Sequence, residues 1–155
     1  MNTITEVIGS TTYTITHYTD TRKCYGIMKD CAERYWSTAN KKDGIDNYQF
    51  GPDAKPWSLG PLLENNQFEG GFDILFMDGQ PWSFGGIRKH TDDTAIILSR
   101  HFSFYTIRPI THGLLLPHQL KTCKELGYKK AWATFNGYSE YWYNTWYVKI
   151  GRAHV

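Results

Sequence analysis

The stretch whose residue types most invite chemistry runs from Ile107 through Arg108-Pro109-Ile110-Thr111-His112-Gly113 to Leu114-Leu115-Leu116. It reads as a strand end that turns into a helix. The first amides of a helix have no partner inside the helix, and the helix dipole adds partial positive charge there, so such a start attracts phosphate. Gly113 has no side chain and would let the backbone approach an anion closely. An ordinary strand-to-helix connection with a glycine in its turn fits the same local pattern. No Gly-Lys-Ser/Thr follows, which excludes a Walker loop, and the later glycines of a dinucleotide fingerprint are missing.

Several groups could move a proton. Asp92 and Asp93 fall in a loop before a predicted central strand, where a carboxylate could act as a base, although solvation of the loop accounts for them equally well. His90 and His101 titrate near neutrality, and Glu69 is an outside candidate. His112 and His118 lie six apart across the helix start with no further ligand at a recognisable spacing, so no metal site is expected. Cys24, Cys31 and Cys123 are odd in number and match no metal-ligand spacing, which reads as buried thiols in a reducing cytoplasm.

The elements that must position these groups follow from the periodicity. Residues 11–16 read as a first strand, and Asp20 or Thr19 can cap a helix over about 21–36, with Cys24, Ile27, Met28, Cys31 and Tyr35 forming one apolar stripe. Residues 37–70 read as a loop, a short helix over 61–65 and another loop. Phe72 to Met77 and Gln80 to Phe84 flank Asp78-Gly79, the pair that tolerates the positive φ of a two-residue hairpin turn. Gly85-Gly86 can carry a bulge, and Thr94 to Leu98 forms another strand. Leu116, Leu120, Cys123 and Leu126 fit one helical face, Pro117 is tolerated only in the first helical turn, and Gly127 supplies the C-terminal cap. A short strand over 128–135 and an aromatic helical segment over 138–147 follow. A helix between two such strands implies a parallel crossover, so the class is α/β or α+β with a mixed sheet.

Composition sets outer limits. A chain of 155 residues with 41% hydrophobic and 21% charged residues is sized for one soluble domain. A net charge of +2 gives no strongly basic face for nucleic acid. The 16% aromatic share leaves Trp36, Trp57, Trp82 and Phe84 either as the wall of a small-molecule cleft or as core, with Phe84 favoured as core. No stretch is long and apolar enough to cross a bilayer, so a cytoplasmic protein is expected. The final Ile150 to Val155 resembles translated sequencing adapter, which implies one domain over 1–149 and a natural C-terminus lying beyond the record.

From Phe72 to Tyr143 the chain resembles the GNAT superfamily of N-acyltransferases, in a divergent form of phage or environmental microbial type. An antiparallel hairpin leads to a central strand, a phosphate-binding turn and a helix. Pro109 corresponds to the family's strand-end proline, and His112, Gly113, Leu114 and Leu115 fall on its Arg-Gly-x-Gly pattern, with His112 replacing the arginine and Leu115 the second glycine. The resemblance implies a GNAT-like, mainly antiparallel mixed sheet flanked by helices. It implies acetyl-CoA, or another acyl-CoA, as cosubstrate, held by Ile107, His112, Gly113, Leu114, Leu115, Leu116 and Asn136. Asn136 would orient the pantetheine arm, Tyr143 would protonate the departing thiolate, and Asp93 is the candidate base. The expected acceptor is a small-molecule or protein amine, with no metal and no membrane partner, and a homodimer is compatible with the pattern. Two alternatives stay open: a GNAT-like enzyme that modifies a nucleic-acid base, with the abundant Tyr and Trp stacking on a flipped base, and a non-catalytic GNAT-like interaction domain, motivated by Leu115 and the lack of an evident base.

Overall fold

A computed structural model describes residues 2–33, 49–101 and 111–134. Its frame is one six-stranded sheet in simple sequence order: β1 (Asn2–Ile8), β2 (Thr11–Tyr18), β3 (Phe72–Met77), β4 (Gln80–Lys89), β5 (Thr94–His101) and β6 (Lys130–Thr134). Neighbours are antiparallel except for the parallel pair β5 and β6, and the helix α3 (Leu116–Glu125) makes the crossover between those two. A 3₁₀ turn (Thr21–Cys24) leads into α1 (Tyr25–Cys31), and α2 (Leu59–Glu64) packs beside it.

The sheet separates two layers because its central strands alternate with period two. On one face, Phe72, Ile74 and Phe84 pack against Cys24, Met28, Cys31, Leu59, Leu62, Leu63 and Phe68, all buried. On the other face, Ile87, Ala95 and Ile97 meet Leu116 and Cys123 of α3, and Ile15 and Leu75 meet Leu115. Of the predicted stripe, Cys24, Met28 and Cys31 are buried and Ile27 is half-buried against them, while Tyr35 lies outside the described residues. Asp20 caps its start, accepting a hydrogen bond from the Arg22 amide at 3.2 Å.

Local backbone chemistry follows the sequence closely in two places. Asp78 and Gly79 adopt φ of 48° and 82°, the doubly positive turn that a right-twisted hairpin needs. At the end of α3, Gly127 has φ +91°; its amide bonds to the Lys124 carbonyl and the Tyr128 amide bonds to the Cys123 carbonyl, both at 3.0 Å. These two bonds are the glycine-terminated motif that satisfies the last helical carbonyls. Leu126 caps this end and is 53% exposed, so it does not continue the buried face of Leu116 and Cys123.

Two sequence expectations are corrected. A strand precedes the expected first one: β1 pairs with β2 along its whole length, yet Ile4, Val7 and Ile8 are exposed, so no buried alternation marks it. The bulge also lies elsewhere. The register between β3 and β4 shifts at Leu75/Phe76, opposite Ser83 and Pro81, leaving Trp82 as the extra residue. Gly85 and Gly86 stay in regular pairing, and each serves close packing. A Cβ on Gly85 would strike the Leu98 carbonyl, and one on Gly86 would strike the Phe68 ring.

Candidate functional site

The crossover begins in a five-residue wide turn, Thr111–Leu115, which passes directly into α3. Such wide turns inside helices recur at functional positions because they redirect a few backbone groups without ending the helix. Gly113 is exposed, and a Cβ built on it would meet nothing within 4 Å among the described residues. Leu115 and Leu116 are fully buried and point into the sheet layer. Leu115 thus fills core space rather than the space in front of the turn. No acidic side chain lies in the turn or in the first turn of α3, and no side chain caps that helix. Ile107, Asn136 and Tyr143 lie outside the described residues, as does Pro109.

Asp93 is exposed at the entrance of β5. Its amide donates to Thr91 Oγ1 at 3.3 Å, and its carbonyl accepts from the Lys129 and Lys130 amides at 2.8 and 3.1 Å. The backbone of Asp93 therefore fixes where β6 begins. The strand β5 runs from this point toward the helix start, and a strand of its eight residues spans roughly 25 Å at ~3.3 Å per residue. Asp93 and Gly113 occupy opposite ends of it. Asp92 is exposed and pairs with Lys89 Nζ at 2.9 Å, which holds its carboxyl below the usual range. Glu69 accepts from the Lys89 amide at 3.1 Å. Trp57 is exposed at 59%, whereas Phe84 is fully buried in the core, as its pattern implied.

Between the sheet and the first turn of α3 lies a polar seam that sequence spacing did not assemble. His17 on β2 and Asp73 on β3 are direct cross-strand partners, and both face α3. Asp73 Oδ1 lies 2.7 Å from His17 Nδ1 and 3.1 Å from His118 Nε2. Asp73 is fully buried, and the two histidine side chains are only 11% and 12% exposed. Burial pushes the Asp73 carboxyl up, but the hydrogen bonds and charges of His118 and His17 outweigh it and hold the group below its usual range. The hydrogen bond to Asp73 raises the affinity of His17 for its proton, against the opposing effect of burial. With an ionised carboxylate, both ring nitrogens act as donors to the same oxygen.

The seam is incompletely satisfied. Asp73 Oδ2, His118 Nδ1, Ser83 Oγ and Gln119 Oε1 are buried without a hydrogen-bond partner among the described residues. Gln119 Nε2 donates to the Leu98 carbonyl at 3.4 Å across the space that Gly85 leaves open. Gly71, at φ +94°, makes room for the His17 ring, which a Cβ there would strike. One signal in the sequence marks this place. Asp73 interrupts the apolar run Phe72-Asp73-Ile74-Leu75-Phe76, and an acidic side chain in a strand buried on both faces needs partners.

All three cysteines are buried. Burial pushes Cys123 up to about 12 and Cys24 higher still, so neither of these two carries a thiolate near neutral pH. Among the described residues no helix is long and apolar enough to cross a membrane.

No family model and no curated protein matches this sequence. Among solved structures the chain is similar to N-acetylglutamate synthase from Neisseria gonorrhoeae in complex with coenzyme A and L-arginine, at 13% identity and a TM-score of 0.54 over 86% of its length. It spans only 26% of that longer chain. It is also similar to aminoglycoside N-acetyltransferase AAC(6')-Iy in complex with CoA, at 9% identity and a TM-score of 0.54, over 94% of this chain and 91% of that one. Likeness at these identities is likeness of fold. The chain has a GNAT fold in divergent form, the mixed sheet with flanking helices that the resemblance implied.

Proposed function

We propose that the chain is an acyl-CoA-dependent N-acyltransferase, acetyl-CoA being the simplest donor and a small-molecule or protein amine the acceptor. The observation that carries this reading is the wide turn Thr111–Leu115, with Gly113 exposed and, among the described residues, open space around it. It sits at the head of the helix that crosses between the parallel strands β5 and β6. Backbone amides at such a start bind a pyrophosphate without a charged side chain, so His112 need not carry permanent charge. Both similar structures are named as coenzyme A complexes, which supports the same cosubstrate here.

In this reading the pyrophosphate docks on the turn amides of residues 112–116, and the pantetheine arm carries the thioester from there along β5 toward its entrance. The acceptor nitrogen attacks the thioester carbonyl. A C–N bond forms, the C–S bond breaks, and the proton lost by the amine balances the one gained by the departing thiolate. Asn136 orients the pantetheine arm, Ile107 lines its path, and Tyr143 protonates the thiolate. The part of Asp93 as base requires the acceptor to enter from the β5 entrance, because Asp93 stands at that end. The test begins with calorimetric titration of acetyl-CoA and of CoA into the purified chain, followed by thiol release from acetyl-CoA across a panel of amines. Saturable binding with amine-dependent thiol release is expected. A folded sample that binds neither nucleotide contradicts the reading.

A further inference from the structure

We infer that His17, Asp73 and His118 form a binding site for a borderline divalent transition-metal ion such as Zn²⁺ or Co²⁺. The site does not depend on acyl transfer, and it lies within the layer between the sheet and α3 rather than at the exposed helix start. Its donors are His17 Nδ1, His118 Nε2 and the Asp73 carboxylate, and they all lie within 4.8 Å of one another. Two imidazoles and one carboxylate are the donor types that such ions select over Mg²⁺ or Ca²⁺, which prefer oxygen alone.

The three donors already converge on one point. Metal–ligand bonds of about 2.0–2.2 Å place ligand atoms roughly 3.0–3.5 Å apart. The two nitrogen-to-oxygen separations are 2.7 and 3.1 Å and all donors lie within 4.8 Å of one another, so an entering ion draws the two rings closer together and displaces the carboxylate slightly. Rigid elements hold all three groups: the cross-strand pair of β2 and β3 in the sheet interior, and the first turn of α3 above it. Gly71 leaves the His17 ring the volume it needs.

A second observation points to a ligand. Both rings bond to Oδ1, and Oδ2 of the fully buried Asp73 has no partner among the described residues. A buried carboxylate oxygen without a partner is costly, and a cation seated among the donors satisfies it directly. With the ion bound, each ring keeps its remaining proton on the outer nitrogen, His17 Nε2 and His118 Nδ1. Three protein ligands leave further coordination positions for water or a small anion.

The direct test is titration of chelator-stripped full-length chain with Co²⁺, read by visible absorption and calorimetry, with Zn²⁺ competition. The expected result is uptake of one equivalent of Co²⁺ with ligand-field bands of a low-coordinate site, displaced by Zn²⁺. Asp73→Asn and, separately, His118→Gln are each expected to weaken binding by at least about 100-fold, more than loss of an outer-shell partner does. Circular dichroism identifies which variants fold, and the milder His118→Gln keeps the comparison if Asp73→Asn does not. Folded wild type that takes up no Co²⁺, or a folded variant that binds it as tightly as wild type, overturns the site and leaves a hydrogen-bonded His–Asp–His network alone.

Discussion

The two faces of the sheet are built on opposite principles, although the same strands supply both. Toward α1 and α2, Phe72, Ile74 and Phe84 join Phe68, Leu59 and Leu63 in a layer stabilised by contact and exclusion of water. Toward α3, the alternate positions of those strands carry Asp73, Ser83 and Gly85, and His17 and Gln119 complete a polar seam between two apolar clusters. A face that depends on apolar area tolerates similar substitutes. A face that depends on hydrogen bonds between residues 56 and 45 positions apart fails when one partner is removed. The polar seam stands between the first turn of α3 and the sheet beneath it, so it ties the proposed CoA-binding turn to β2 and β3.

Paired truncations distinguish the faces most sharply. Phe84→Ala removes a ring from the apolar face and is expected to cost ~3–5 kcal/mol in urea denaturation, with little dependence on pH. Asp73→Asn leaves the histidines without their charged acceptor and is expected to cost about 3–5 kcal/mol. The Asp73→Asn cost varies with pH in metal-free protein. Because Asp73 is depressed from 3.8, its contribution is present above that pH and lost as pH falls through its folded value. Because His17 is raised from 6.5, its contribution is full below 6.5 and lost as pH rises through its folded value. The penalty of Asp73→Asn should therefore be greatest between those two values, whereas that of Phe84→Ala stays flat. A flat profile for both would erase the distinction between the faces.

Gly85→Ala probes the seam from the sheet side. Its Cβ would press on the Leu98 carbonyl and the Gln119 amide, so a loss of ~1–3 kcal/mol is expected from overpacking, read as a lower denaturation midpoint. The smallest effect is expected at Val7, which is 65% exposed on β1. Val7→Thr should change stability by less than about 0.5 kcal/mol in the same assay.

What the sequence disclosed follows the same division. The Asp-Gly hairpin, the glycine end of α3, the buried stripe of α1 and the parallel crossover were legible because each is specified by neighbours in the chain. The strand β1 was not, since a strand exposed on both faces has no apolar alternation to read. The bulge at Trp82 was assigned to Gly85-Gly86 because glycine marks both a bulge and a close approach, and only the packed structure separates the two. The seam was hidden for a different reason. His118 alone, or paired with His112 by spacing, suggests no ligand set, and its partners lie on β2 and β3. Asp73 in an apolar run was the one local trace of it.

The measurement that most directly tests the central claim is calorimetric binding of acetyl-CoA to wild type beside Gly113→Ala and Gly113→Trp. Because none of the described residues lies within 4 Å of a Cβ at Gly113, both variants should fold. The account predicts saturable binding by wild type, a modest loss for the alanine and abolition by the indole that fills the space before the turn. Equal affinity in all three folded proteins would contradict it, showing that the pyrophosphate does not bind at this helix start.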